Sequence, residues 1–225
     1  MRNGIFITFE GVEGSGKSTF IKRAVELIEG TLGYDVVLTR EPGGTELSEI
    51  LREIVTAGKV RGIKLEKEVC PKAEFYIYLA SRAQHINDVI KPGIEAGKVV
   101  ICDRFQDSTM ALQGFGRELC PQKIIDASSL TMEDMWPDLT IILDLPVEIG
   151  LERSFKKAKG LTQDQQELRF EQLGIDFHNR VREGFKWIAA NAEQNGRRIE
   201  VVDATGTIDE VWERVKKELM SYFCP

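Results

Sequence analysis

The chain has few of the residues on which metal, redox or nucleophilic chemistry usually rests. Its 225 residues include two histidines and four cysteines. Cys70, Cys102, Cys120 and Cys224 show no C-x-x-C spacing, which argues against a zinc site or a redox pair. Free thiols in a reducing compartment are the simpler expectation, and with them a cytoplasmic location. No Ser–His or Cys–His nucleophile pair stands out, and His85 and His178 read as surface or capping residues. Long apolar runs are missing too. Residues 99–102 and 140–143 are strand-length, against the roughly 20 residues of a membrane span, so no membrane partner is expected. The first residues lead directly into a strand, with no secretory apolar segment. Nor is the charge basic: 36 acidic against 30 basic residues give a net charge of −6, so nucleic acid is not an expected partner. There is no internal repeat and no low-complexity linker. The length suits one domain over 1–225, with a short lid near 153–168.

What is present begins with Gly11-Val12-Glu13-Gly14-Ser15-Gly16-Lys17-Ser18. This is G-x-x-x-x-G-K-[ST], the phosphate-binding loop. Residues 5–9 before it are apolar and read as a buried strand. After it, Phe20, Ile21, Ala24, Val25, Ile28 and Leu32 are spaced as one helix face. Glycines let the backbone approach an anion, and successive N–H groups at a helix N-terminus then point at phosphates. Lys17 adds a positive charge near the β- and γ-phosphates, and the Ser18 hydroxyl is placed to hold Mg²⁺.

Strand and helix patterns alternate along the chain. Strands are expected at 35–39, 98–102, 139–145 and 198–203. Helices are expected at 46–57, 72–90 (disturbed by Pro92-Gly93), 107–116, 121–130, from 146 onward, and at 168–195. A last helix starts at the capping-box sequence Thr207-Ile208-Asp209-Glu210. Residues 60–69 are charged, without a period, and read as a loop. The alternation predicts an α/β fold: a five-stranded parallel sheet with helices on both faces. Ligands of such sheets bind beyond the carboxyl ends of the strands. The phosphate loop, the turn-rich run 40–45 and Asp103 all fall at such ends and should converge on one crevice.

Asp103, at the end of an apolar strand, is the usual second half of a Mg²⁺–nucleotide site. Arg104 beside it is a phosphate clamp or a surface ion pair. Tyr78 and Arg82 are four apart on one helix, as are Thr109 and Gln113, so each pair shares a face. A ring, a guanidinium, a hydroxyl and an amide are the parts that stack on and hydrogen-bond a planar base.

Four runs together resemble bacterial thymidylate kinases: residues 9–19, Arg40-Glu41-Pro42-Gly43-Gly44-Thr45, Ala80-Ser81-Arg82-Ala83-Gln84-His85, and 103–114. The resemblance covers nearly the whole chain in order. It implies transfer of the ATP γ-phosphate to dTMP with Mg²⁺, in dTTP biosynthesis, by a homodimer packed through helices beside the acceptor site. It places ATP on Gly11, Val12, Glu13, Gly14, Ser15, Gly16, Lys17, Ser18 and Thr19. It places the dTMP phosphate on Arg52 and Arg104. Tyr78, where the family more often has Phe, would stack on thymine, and Arg82, Thr109 and Gln113 would contact the base edge. Glu13 would sit near the sugar hydroxyl and the metal, and Asp103 near the transferred phosphate. Leu112 stands where the family usually has a tyrosine that presses on the sugar. The phosphate loop carries Gly14 and Ser15, where some members have an arginine. A catalytic cation is therefore expected from the lid, with Arg153 ahead of Lys156, Lys157 and Lys159, and Arg169 as the fallback. Two rival readings remain at this level: a kinase of another small acceptor, or a nucleotide-dependent switch without one. Against a GTPase switch, no Asn-Lys-x-Asp segment is found.

Overall fold

The computed structural model describes residues 4–132, 134–158, 170 and 173–224. Strand β1 (Ile5–Gly11) leads through the phosphate loop into α1 (Lys17–Gly30), and β2 (Val36–Arg40) is followed by α2 (Glu46–Ala57). A short hairpin, β3 (Lys59–Val60) and β4 (Ile63–Lys64), precedes α3 (Pro71–His85). A widened π-type turn (Ile86–Ile90) joins α3 to α4 (Lys91–Glu95). Next come β5 (Val99–Asp103), α5 (Gln106–Thr109), a second widened turn (Met110–Gly116) and α6 (Pro121–Met132). The rest comprises β6 (Leu139–Asp144), α7 (Val147–Ala158), α8 (Ile175–Ala190), β7 (Ile199–Asp203) and α9 (Ile208–Phe223).

Five strands form one parallel sheet in the order β2-β5-β1-β6-β7, as the alternation predicts. Residues 99–102 of β5 and nearly all of β1 and β6 are buried, as strands covered on both faces are; their runs are largely apolar, and the buried Thr8 and Thr140 satisfy each other's hydroxyls at 2.9 Å. The pairing aligns the carboxyl ends. Phe9 and Arg40 both lie opposite Asp103, Gly11 lies opposite Leu143, and Asp144 opposite Asp203. The chain segments that carry the motifs therefore leave the sheet along one edge. The Thr207 capping box forms as read, with Thr207 Oγ1 accepting the Glu210 N–H and the Glu210 carboxylate accepting the Thr207 N–H.

Three readings need correction. The 60–69 stretch is not all loop. Arg61 (φ 50°) and Gly62 (φ 79°) both have positive φ, the condition for a two-residue hairpin turn, and Glu53 accepts both of their N–H groups. Two residues per strand are too few for a period to show. Helix also continues past Pro92. The widened turn bonds the Lys91 N–H to the Ile86 carbonyl, and Pro92 falls in the opening turn of α4, where its missing N–H costs little. Finally, His85 and His178 are buried rather than exposed. His85 Nδ1 is 3.0 Å from Glu41 Oε1, and its Nε2 is 2.6 Å from Thr39 Oγ1. Of the lid expected over 153–168, only 153–158 fall within the described residues. Lys159, Arg169 and the side chain of Lys157 lie outside them.

Candidate active site

A crevice of about 730 Å³ runs along the carboxyl edge of the sheet. One end is the phosphate loop. Gly16 caps α1 in the left-handed region at φ 93°, and a Cβ on Gly14 (φ 70°) would run into the Gly150 carbonyl, so glycine is required at both. Ser18 and Thr19 are exposed to the crevice, and Ser15 and Lys17 line it while themselves buried. Gly11 and Val12 lie behind it, and their carbonyls accept Lys17 Nζ at 3.1 and 3.2 Å. Burial, and next the nearby Arg104, hold the Lys17 ammonium below its usual range.

The middle of the crevice is formed by Glu13, Asp103 and Arg104. Arg104 has φ 72°, an unfavourable conformation for a side chain with a Cβ. Four bonds hold it there. Its N–H donates to the Phe9 carbonyl (3.0 Å), its Nη1 donates to Gly11 O (3.1 Å) and Ser108 Oγ (3.0 Å), and its Nη2 pairs with Glu13 Oε1. Burial works to raise the Glu13 carboxyl, but Arg104 and then Lys17 outweigh it and hold Glu13 below the usual carboxylate range. Asp103 Oδ1 is a buried acceptor with no hydrogen-bond partner among the described residues. That orphaned oxygen and the exposed Ser18 hydroxyl, both hard oxygen donors, suit Mg²⁺, which takes one or two protein oxygens beside phosphates and water.

The far end narrows into a small cavity lined by Tyr78, Arg82, Thr109, Leu112 and Gln113. Tyr78, Leu112 and Arg104 border both spaces, so the cavity continues the crevice. Arg82 is 1 % exposed. It donates from Nε to Glu41 Oε2 (2.8 Å), from Nη1 to Gln106 Oε1 and from Nη2 to Thr109 Oγ1 (2.8 Å). Its guanidinium carbon lies 5.0 Å from the Phe105 ring centroid. Three of its five N–H groups are used, which leaves two to offer a ligand. Arg52 lines the crevice and donates from Nη1 to Pro42 O (2.9 Å). Arg153 lines it at the other side and reaches Ala204 O at 3.4 Å, whereas Lys156 pairs with Glu152 on the exposed face of α7.

The structure thus brings the proposed site residues within its described range to one cleft, with Gly11 and Val12 just behind its wall and the lid candidate Lys156 facing away from it. It adds residues that the sequence reading passed over. Glu10 takes the Phe105 N–H (2.7 Å) and the Ser108 hydroxyl, Glu41 holds both Arg82 and His85, and Glu74 pairs with Arg117. A signal for Glu74 was available: Glu74, Tyr78 and Arg82 follow at four-residue steps on one helix face.

The comparisons agree with this geometry. The family pattern described as thymidylate kinase matches residues 9–215. The chain belongs to the thymidylate kinase family. A thymidylate kinase of Maridesulfovibrio salexigens is 42 % identical over 218 residues, covering 96 % of this chain and 95 % of its own. Another, from Nitratidesulfovibrio vulgaris, is 42 % identical over 219 residues, covering 96 % of each. A solved structure of thymidylate kinase from Ehrlichia chaffeensis superposes with a TM-score of 0.72 at 33 % identity, covering 96 % of this chain and 98 % of that one. As a member of this family the chain is an enzyme whose phosphate donor is ATP. Among the described residues no helix is long and apolar enough to cross a membrane.

Proposed function

We propose that this protein transfers the γ-phosphate of ATP to dTMP, giving dTDP and ADP in the route to dTTP. One observation carries the reading: a phosphate loop and a small buried recess bordered by Arg82, Thr109 and Gln113 lie at opposite ends of one crevice, with Arg104 and Asp103 between them. ATP lies along residues 11–19, with the loop N–H groups and Lys17 on its phosphates. The two spare N–H groups of Arg82, the Thr109 hydroxyl and the Gln113 amide meet the base edge, and Tyr78 packs on the ring. Arg52 and Arg104 take the acceptor phosphate, and Glu13 lies near the sugar hydroxyl. The recess has a volume of only about 10 Å³, so the base has to part Tyr78 and Leu112 to enter.

Such a transfer depends on positioning and charge neutralisation more than on covalent chemistry. When bound, Mg²⁺ neutralises charge between the β- and γ-phosphates, and Ser18 and Asp103 are the groups that would hold it. Arg153 is the described lid cation nearest the crevice, and closure of the 153–168 segment would bring it onto the phosphates and shut out water. The working form is a cytoplasmic homodimer. In support, α3 and α6 pack together and leave Tyr76, Ile125 and Leu130 exposed, an apolar face suited to a second copy, and the described cysteines are free. Coupled ADP release over a panel of nucleoside monophosphates tests the assignment. ADP release should require an acceptor, with dTMP the best. A ranking led by CMP or GMP, or acceptor-independent release at the same rate, overturns it.

A further inference from the structure

Gln113 is completely buried, and its neighbours fix which way its amide faces. One amide atom lies 3.1 Å from Glu74 Oε1. A carboxylate can only accept, so that atom must be the NH₂ group; the reverse orientation would set lone pairs against lone pairs. The amide oxygen then points away from Glu74. It is buried and has no hydrogen-bond partner among the described residues, a costly arrangement unless something supplies a donor. Gln113 lines the recess at the end of the crevice.

Glu74 is held as rigidly as the residue it orients. It is fully buried in α3, and Arg117 grips it with a fork: Nε to Oε1 at 3.2 Å and Nη2 to Oε2 at 3.0 Å. Arg117 is fixed in turn by the rings of Phe170 and Phe177, 5.7 and 5.4 Å from its guanidinium carbon. Neither Glu74 nor Arg117 lines the recess.

We propose that Glu74 is a positioning residue for base choice: it locks the Gln113 amide so that only the carbonyl oxygen faces the incoming base. This rests on the function proposed above. A 4-keto pyrimidine presents an N3–H donor beside an O4 acceptor, which suits the Gln113 oxygen and the spare N–H groups of Arg82. Cytosine presents a bare N3 beside an amino group and sets acceptor against acceptor and donor against donor. The chain thus excludes the amino pyrimidine by a carboxylate that never touches the base, because the amide it holds cannot turn over.

The substitution Glu74→Gln tests this, since an amide at 74 can either donate or accept and frees Gln113 to flip. The substrates compared are dUMP and dCMP, which both lack the 5-methyl group and differ only at the edge in question. In the wild-type protein kcat/KM should favour dUMP strongly. Glu74→Gln should narrow the ratio at least about tenfold, mainly through a higher KM for dUMP, with the KM for ATP unchanged. A Glu74 that merely supports the fold would lower both substrates by one factor and leave the ratio intact, which overturns the inference. The exchanged pair Glu74→Gln/Gln113→Glu adds a second arm, needed if the single variant does not fold. It puts the donor at 74 and keeps an acceptor facing the base, so it should prefer dUMP; loss of that preference overturns the inference. A wild-type protein that does not prefer dUMP to dCMP overturns the proposed function and this inference with it, whereas a preference that survives Glu74→Gln overturns the inference alone.

Discussion

At the donor end of the crevice the recognition groups are mostly backbone, supplied by nine consecutive residues. At the acceptor end they are side chains drawn from α3, α5 and the widened turn after it, and Arg82, Thr109 and Gln113 are each braced by another side chain far away in sequence. Arg82 leans on Glu41, 41 residues earlier, and Gln113 on Glu74, 39 residues earlier. Backbone N–H groups at a helix start bind any phosphate, so the donor end gains affinity with little discrimination. A buried side chain with one fixed polarity discriminates, because the wrong partner leaves it unpaired. Under the proposed function this difference divides the labour: the loop would hold phosphates, and the braced recess would select the base.

The largest effect expected from breaking this comparison is at Lys17. It now bonds the carbonyls of Gly11 and Val12, contacts of a charged donor worth roughly 1.5–3 kcal/mol each and opposed by the cost of burying the ammonium, so Lys17→Ala should leave a folded protein. It also removes the ammonium that offsets developing charge on the transferring group. Turnover should fall by at least about 10²–10³-fold. Near-normal turnover in a folded Lys17→Ala protein would take the loop out of the mechanism.

The same contrast explains what could be read from sequence. The phosphate loop was legible because its residues are contiguous and each has a stated reason. The sheet was legible because strands buried on both faces are unbroken apolar runs, as at 99–102. Tyr78, Arg82, Thr109 and Gln113 emerged from helical spacing together with the resemblance. Their braces did not. Helical spacing puts Glu74 on the face of Tyr78 and Arg82, but nothing local marks Glu41, Glu74 or Arg117 by their partners, since the pairings form only when separate segments fold onto one edge. His85 was misread for that reason: a histidine near the end of a helix looks like a cap until Thr39 and Glu41 arrive from β2 and the turn after it.

A smaller effect is expected at the acceptor end. Gln113→Ala removes the amide oxygen that faces the base, and losing such a bond costs about 1–3 kcal/mol when the partner stays buried, or roughly ten- to hundredfold. The loss should appear as a higher KM for dTMP, with the KM for ATP little changed. Steady-state kinetics with each substrate varied would measure it. Equal losses on both substrates would mean that the two ends do not divide the labour as described.

The smallest effect sharpens the comparison at a buried carboxylate that touches both ends. Glu10 lies in β1 immediately ahead of the phosphate loop, yet it holds the Phe105 N–H and the Ser108 hydroxyl beside the acceptor recess. Burial first, and then the neighbouring Asp107, push its carboxyl from 4.5 up to about 8, against the opposing pull of Ser108 and Arg104. A carboxyl raised in this way holds its proton more firmly in the folded chain than in the unfolded one. Its contribution to stability is therefore complete below a pH of about 4.5 and is lost as the pH rises through about 8. Glu10→Gln keeps an acceptor for Phe105 and gives Ser108 the donor that a neutral carboxyl would give, without ever carrying the buried charge. The variant should match the wild-type protein near pH ~5 and gain on it steadily toward pH ~9. The measurement is the difference between the two melting temperatures across that range, in which all shared titrations cancel. A difference that stays flat would mean that Glu10 is already ionised throughout, its charge held by Arg104 and Lys17, and that the donor and acceptor ends are joined by a fixed ion cluster rather than by a neutral hydrogen-bonded carboxyl.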